Sequence, residues 1–209
     1  VDHTKDGIIW VNKVDNPQQF GVVQLDNNNV ITNFVEKPST FVSDLAIIGI
    51  YYIRDGANLR SEIKYLIDND IKEKGEYQLT NALENMKAKG LKFEAGTVLE
   101  WLDCGNKNAT VYTNKRVLEI KPETNSRGNS VHIENSVIIE PCFIGDQVKI
   151  YNSVVGPHVS LGSGTEVKNS RIENSIILNS VKIVGANLDN SLIGNSTEYN
   201  AKPTDISLG

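Results

Sequence analysis

The chain has 209 residues, room for one sizeable core or two modest ones, and its 39% apolar and 22% charged residues are ordinary for a globular protein. A net charge of −5 leaves no electrostatic footprint for nucleic acid or an anionic membrane, so neither partner is expected. No apolar run approaches the ~20 residues that span a bilayer, and two distant cysteines suggest neither a disulfide framework nor a thiolate zinc site, which points to a cytoplasmic setting.

The sequence starts at Val1 rather than Met, and a fragment of a longer protein is expected. Short β-branched runs over residues 7–14, 21–26, 30–36 and 45–54 predict strands. Asn27, Asn28 and Asn29 join two of them, and because Asn tolerates the left-handed conformation a hairpin is expected there. The strand over 8–14 starts at the chain terminus, where no sheet partner for it is evident. Leu59, Ile63, Leu66 and Ile67 share one helical face, with Arg60, Glu62 and Lys64 turned to water. A second helix carries Leu79, Ala82, Leu83 and Met86 and is stopped by Gly90; a third follows Gly105 to about Leu118. This first half is α/β.

From about Asn129 to Asn195 the helical period vanishes. Asn-Ser pairs recur at Asn135, Asn152, Asn169, Asn174, Asn179 and Asn190, and Gly145 and Gly162 repeat the interval that separates the first three. Pairs of an aliphatic residue and glycine, Ile144-Gly145, Val155-Gly156 and Leu161-Gly162, fall on the same lattice. The pattern predicts a parallel β-helix with three short strands per coil of about 17 residues, aliphatic side chains inside and Gly or Asn at the corners. About four coils would stand roughly 19 Å tall at ~4.8 Å per strand spacing. An Asn- and Ser-rich antiparallel sandwich is the competing architecture, but it does not explain why both residue patterns share the same multiples.

Three stretches carry candidate chemistry. Glu36-Lys37-Pro38 ends a strand, where Glu36 can accept hydrogen bonds from hydroxyls, Lys37 can meet a phosphate, and Pro38 restricts Lys37 to extended backbone; taken alone, these three residues are more ordinarily a solvated strand end. In Trp101-Leu102-Asp103-Cys104-Gly105-Asn106, Asp103 fits either a ligand of Mg²⁺ or the cap of the next helix, and Cys104 reads as a small core residue. Gly21 and Gly49 interrupt strands, which marks either a bulge or a ligand lying close to the backbone.

In this order the segments 20–23, 35–38, 49–51, Gly75-Glu76-Tyr77-Gln78-Leu79-Thr80 and 101–105, followed by the repeats, resemble the sugar-1-phosphate nucleotidylyltransferases, in particular the longer glucose-1-phosphate thymidylyltransferase-like members with a C-terminal left-handed β-helix. The resemblance implies a partial Rossmann-like nucleotidyltransferase domain over 1–121, a linker over 122–128, a left-handed β-helix over 129–197 and a tail over 198–209. It implies that Gly21 and Glu36 hold sugar hydroxyls, that Lys37 is the catalytic cation on the sugar phosphate, that Gly49 and Tyr51 line the pocket, and that Asp103 is one of two carboxylates on Mg²⁺. The substrates would be a sugar 1-phosphate and a nucleoside triphosphate, and the β-helix would support a homo-oligomer. The sequence contains no Gly-rich nucleotide loop of the family's type, and it has Cys104 where many relatives have Thr. Two other readings compete: acyl transfer, with His158 or, more weakly, His132 as general base, and a non-catalytic regulatory or assembly subunit.

Overall fold

The computed structural model describes residues 5–121, 123 and 125–202; Pro122 of the expected linker, and Pro203 and Asp205 of the expected tail, lie outside the described residues. Two compact units part between Trp101 and Leu102.

The first unit is a five-stranded sheet with two helices. Its strands β1 (Gly7–Lys13), β2 (Gly21–Leu25), β3 (Ile31–Glu36), β4 (Leu45–Ile53) and β5 (Phe93–Thr97) lie in the order β3-β2-β4-β1-β5. The expectation that β1 lacks sheet partners is overturned: it pairs antiparallel with β4 and parallel with β5. The β2–β3 hairpin forms as expected. Asp26 Oδ1 accepts from the backbone N–H groups of Asn28 and Val30, and Asn29 takes the left-handed conformation at φ 64°. The hairpin tip then covers the outer edge of β5, with Asn29 Nδ2 donating to Ala95 O at 2.8 Å and Ala95 N–H to Asn29 O at 3.2 Å. An edge that would otherwise invite pairing is thereby closed.

Helix α1 (Gly56–Asp68) starts at Asp55, whose carboxylate accepts from Asn58 N–H; α2 (Leu79–Ala88) ends before Gly90 at φ 98°. Leu83 and Met86 of α2 are fully buried against Phe34, Phe93, Ile9 and Val23 of the sheet. In α1 the expected face is only half right. Leu66 is buried and Leu59 half-buried, but Ile63 and Ile67 are exposed, and Glu62, expected in water, is buried with an ion pair to Lys89. The helix packs on α2 along the 62–66 line, which leaves its other apolar line uncovered.

The second unit is α3 (Lys107–Ile120) with a left-handed parallel β-helix of about four coils. Its faces are three stacks of short parallel strands, seen for example in Val137, Val154, Arg171 and Asn187, which lie side by side. Ile144, Val155 and Leu161 point inward as expected and are buried with Ile150, Val167, Ile172, Ile177 and Ile183.

The Asn-Ser pairs do different work at different corners. At Asn135, Asn152 and Asn169 the Asn turns left-handed (φ 47°, 48° and 50°). The hydroxyls of the following Ser136, Ser153 and Ser170 accept from the N–H of the next coil, at 3.0 Å each. At Asn179-Ser180 the serine is left-handed (φ 58°), and the Asn179 carboxamide oxygen accepts from Ser163 N–H of the preceding coil at 2.8 Å. Each arrangement satisfies backbone donors that a corner would otherwise strand.

The coil length is 17 residues at first and 16 later. Val154 pairs with Val137 and Arg171, each 17 positions away, whereas Arg171 pairs with Asn187, 16 positions on. The extra residue sits in the proline-bearing corners 139–141 and 156–158, where the later corner 173–174 is one residue shorter.

Helix α3 packs on the strands Val159–Leu161 and Ser175–Ile177. Lys107 Nζ donates to Asn190 O at 2.7 Å, and Ser160 Oγ lies 2.6 Å from Asn114 Oδ1, so the helix runs along the stack of coils. By contacts α3 therefore belongs with the coils, although the sequence reading set the boundary after it, at residue 121.

Candidate functional site

Gly21, Glu36, Gly49 and Tyr51 converge on one cleft of the first unit, of about 310 Å³, together with Gln19, Phe20, Ile47, Gln78, Leu79 and Thr80. Pairing between β2 and β3 sets Gly21 directly opposite Glu36, and β4 carries Gly49 and Tyr51. The Glu36 side chain is nearly buried, and its Oε2 accepts from Thr80 Oγ1 at 3.1 Å. A Cβ on Gly21 would lie 2.9 Å from that same oxygen, so the missing side chain is what lets the carboxylate lie over β2. Gly49 has a different reason: its φ of 81° disfavours any side chain, while the space beside it is open.

Burial, and then the negative charge of Glu36, push the Tyr51 hydroxyl above its ordinary 10.0, so it stays a neutral donor beside an acceptor carboxylate. The cleft thus offers a fixed anion, a phenol and carboxamides from Gln19 and Gln78, a set that matches several hydroxyls on one small molecule.

Lys37 stands at the edge of this cleft and does not line it. Its Nζ lies 4.0 Å from Glu36 Oε1, and its backbone N–H donates to Phe20 O at 3.0 Å. The extended conformation expected before Pro38 is not adopted: Lys37 has φ 40°. The left-handed turn ends β3 and is held from outside by Lys74, whose Nζ donates to Lys37 O at 2.6 Å. Lys74 sits at the tip of a tight turn in which Glu73 and Glu76 exchange backbone hydrogen bonds at 2.9 and 3.1 Å, with Lys74 and Gly75 both at positive φ. Sequence reasoning passed over Lys74 and Thr80 as site residues. For Thr80 the signal was present in the Gly75 to Thr80 motif, which ends on it; Lys74 precedes that motif.

Asp103 belongs to the second unit. It does not cap α3: that role falls to Asn106, whose Oδ1 accepts from Ala109 N–H at 3.0 Å. Thr113 Oγ1 donates to the Asp103 backbone oxygen at 2.6 Å, and among the described residues the carboxylate itself accepts no hydrogen bond. Among the described residues no group of three or more His, Cys, Asp and Glu could hold a metal ion. Cys104, read as a core residue, is exposed.

His158 is engaged at both ring nitrogens, with Asn174 Oδ1 3.1 Å from Nδ1 and Glu119 Oε1 3.1 Å from Nε2. His132 is exposed beside Glu134 at 3.3 Å. His158 is built into the seam between α3 and the coils.

Residues 2–120 match the family model described as nucleotidyl transferase. A glucose-1-phosphate thymidylyltransferase of Streptomyces antibioticus is 28% identical over 207 residues, covering 91% of this chain and 56% of the relative. Its counterpart in Streptomyces griseus is 27% identical over 215 residues, covering 95% and 59%. A bifunctional protein GlmU of Clostridium tetani is 32% identical over 192 residues, covering 84% and 40%. The chain therefore spans little more than half the length of the two thymidylyltransferases. With more than half of its residues inside the matched segment, the chain belongs to the nucleotidyl transferase family.

Proposed function

We propose that this chain serves the sugar 1-phosphate side of nucleotidyl transfer, with glucose 1-phosphate and a thymidine triphosphate as the substrates suggested by the names of its relatives. The observation that carries the reading is the convergence of Gly21, Glu36, Gly49, Tyr51 and Thr80 on one cleft with Lys37 at its edge, its backbone oxygen held by Lys74.

In this reading Glu36 accepts hydrogen bonds from sugar hydroxyls, Thr80 fixes its carboxylate, and Tyr51 donates to a sugar oxygen. Lys37, with Lys74 behind it, neutralises the sugar phosphate. A phosphate oxygen then attacks the α-phosphorus of the nucleoside triphosphate, the bond to the β-phosphate oxygen breaks, and pyrophosphate leaves. Such chemistry needs positioning and charge neutralisation more than covalent help. Mg²⁺ would supply charge neutralisation at the phosphates, and the uncommitted Asp103 carboxylate is suited to hold it. Two free thiols agree with a reducing, cytoplasmic setting, and a homo-oligomer is part of the proposal.

Isothermal titration tests the assignment. The chain should bind glucose 1-phosphate, Lys37→Ala should lose the preference for the phosphorylated sugar over glucose, and Glu36→Ala should lose both ligands. If no hexose 1-phosphate binds, the reading fails.

A further inference from the structure

Strand β3 is an outer strand of the first sheet, with β2 on one side only. In an antiparallel pair alternate residues turn their backbone N–H and C=O away from the partner. Lys37 N–H donates to Phe20 O and Gly21 lies opposite Glu36, so residues 33, 35 and 37 bond to β2 and the backbone of Phe34 faces the free edge. Thr32 is unpaired for another reason: Gln24 pairs with Asn33 and Leu25 with Ile31, which makes Thr32 the extra residue of a bulge. Such an edge is a template for a further strand.

Helix α2 occupies the edge instead. Phe34 N–H donates to Glu84 Oε2 at 3.1 Å, Lys87 Nζ donates to Thr32 O at 2.6 Å, and Lys87 pairs with Glu84 at 2.6 Å. At the start of the helix Thr80 Oγ1 donates to Glu36 Oε2 at 3.1 Å. Residues 80, 84 and 87 fall on one helical face at i, i+4 and i+7, and they meet strand residues 36, 34 and 32 in turn. The three contacts span ~10 Å along the helix and ~13 Å along the strand, a difference that the long Glu and Lys side chains can cover. A slide of α2 by one residue would turn this face by about 100° and break all three. The apolar packing of Ala82, Leu83 and Met86 beside it is not directional, so the polar contacts are what define the register.

We propose that Glu84 and Lys87 are positioning residues of the sugar-phosphate cleft: by fixing the register of α2 on β3 they hold Thr80 against the Glu36 carboxylate. The proposal rests on the sugar-phosphate reading of that cleft. Neither residue lines the cleft, so both act through Thr80.

A double-mutant cycle read by isothermal titration with glucose 1-phosphate tests this. Glu84→Ala should weaken binding about tenfold, and Glu84→Gln, which keeps an acceptor oxygen for Phe34 N–H, should bind like the wild type. Lys87→Met, which keeps the apolar stem, should weaken binding in the same direction. Thr80→Val should also weaken it, and adding Glu84→Ala to Thr80→Val should cost nothing more, because the contact that Glu84 positions is already gone. A general contribution to folding would add instead. Amide exchange at Phe34, followed by nuclear magnetic resonance, should accelerate in Glu84→Ala and not in Glu84→Gln. Additive losses, or Glu84→Ala binding as tightly as the wild type, would overturn the proposal, and so would a Phe34 amide indifferent to Glu84→Ala. A wild type that binds no hexose 1-phosphate would overturn the reading of the cleft, while exchange at Phe34 still decides whether Glu84 sets the register.

Discussion

Alanine at position 21 would set its Cβ 2.9 Å from Glu36 Oε2 and 3.0 Å from Thr80 Cγ2, and both neighbours are held by the hydrogen bond between them. The carboxylate must then swing out of the cleft. Gly21→Ala is expected to lose sugar-phosphate binding while leaving the melting transition nearly unchanged, a split that calorimetric titration and thermal unfolding together would read. Tyr51 gives a second test. Its raised hydroxyl pKa means that the folded state favours the neutral phenol, so the associated stability is present below the unfolded value of 10.0 and is lost as pH rises through the folded value. Tyr51→Phe should therefore flatten the alkaline limb of the stability profile, and one phenolate should vanish from the late part of an absorbance titration. The two thiols differ in the same physical way. Burial pushes Cys142 up to about 11, whereas Cys104 is exposed. Near neutral pH a thiol reagent should modify Cys104 alone in the native protein, and Cys104→Ser should remove the fast phase.

Elements whose own residues carry the signal were legible in the sequence. The strands β1 to β4 start and stop within about two residues of where β-branched runs and turn residues put them, and the coil lattice emerged from Asn, Ser and Gly spacings because each corner demands those residues. Elements held by tertiary contacts were not legible. Strand β5 reads Phe-Glu-Ala-Gly-Thr, with one large apolar residue, and exists because β1 pairs along its length. The rotation of α1 was missed because periodicity reports an apolar face but not which part of it a neighbour covers. The change from 17 to 16 residues per coil was hidden for a related reason: Asn174 and Asn190, 16 residues apart, share one corner, but Asn179 between them and Asn169 before them belong to two others, so consecutive spacings mix. Of the site, the glycines and Glu36 were visible as residues out of place in strands, whereas Thr80 and Lys74 act from a helix start and a turn tip that only the fold brings to Glu36-Lys37. In the coils the buried line is uniform, so Ile172→Ala should cost about 2–5 kcal/mol, read as a shift in the denaturation midpoint.

At the scale of the whole molecule, the family match runs through α3 to residue 120, yet α3 is contacted by the coils and grouped with them. Sequence kinship and physical cohesion divide the chain at different places. The seam holding α3 is polar and specific: Ser160 to Asn114, His158 to Glu119, Asn190 to Lys107 and Asn108. Val111 and Leu118 of the same helix are buried. Each unit also has its own core, one around Leu83, Met86 and Phe93 and the other around the stacked aliphatics of the coils. Regions with separate cores open separately, and an element exchanges its amides with the unit that holds it. Leu83→Ala, which removes a fully buried side chain, should destabilise the first unit by about 2–5 kcal/mol. Hydrogen exchange followed by mass spectrometry should then accelerate in β1 to β5, α1 and α2 while α3 keeps the protection of the coils. Faster exchange in α3 together with the first unit would instead place the cooperative boundary near residue 121, where the sequence reading set it.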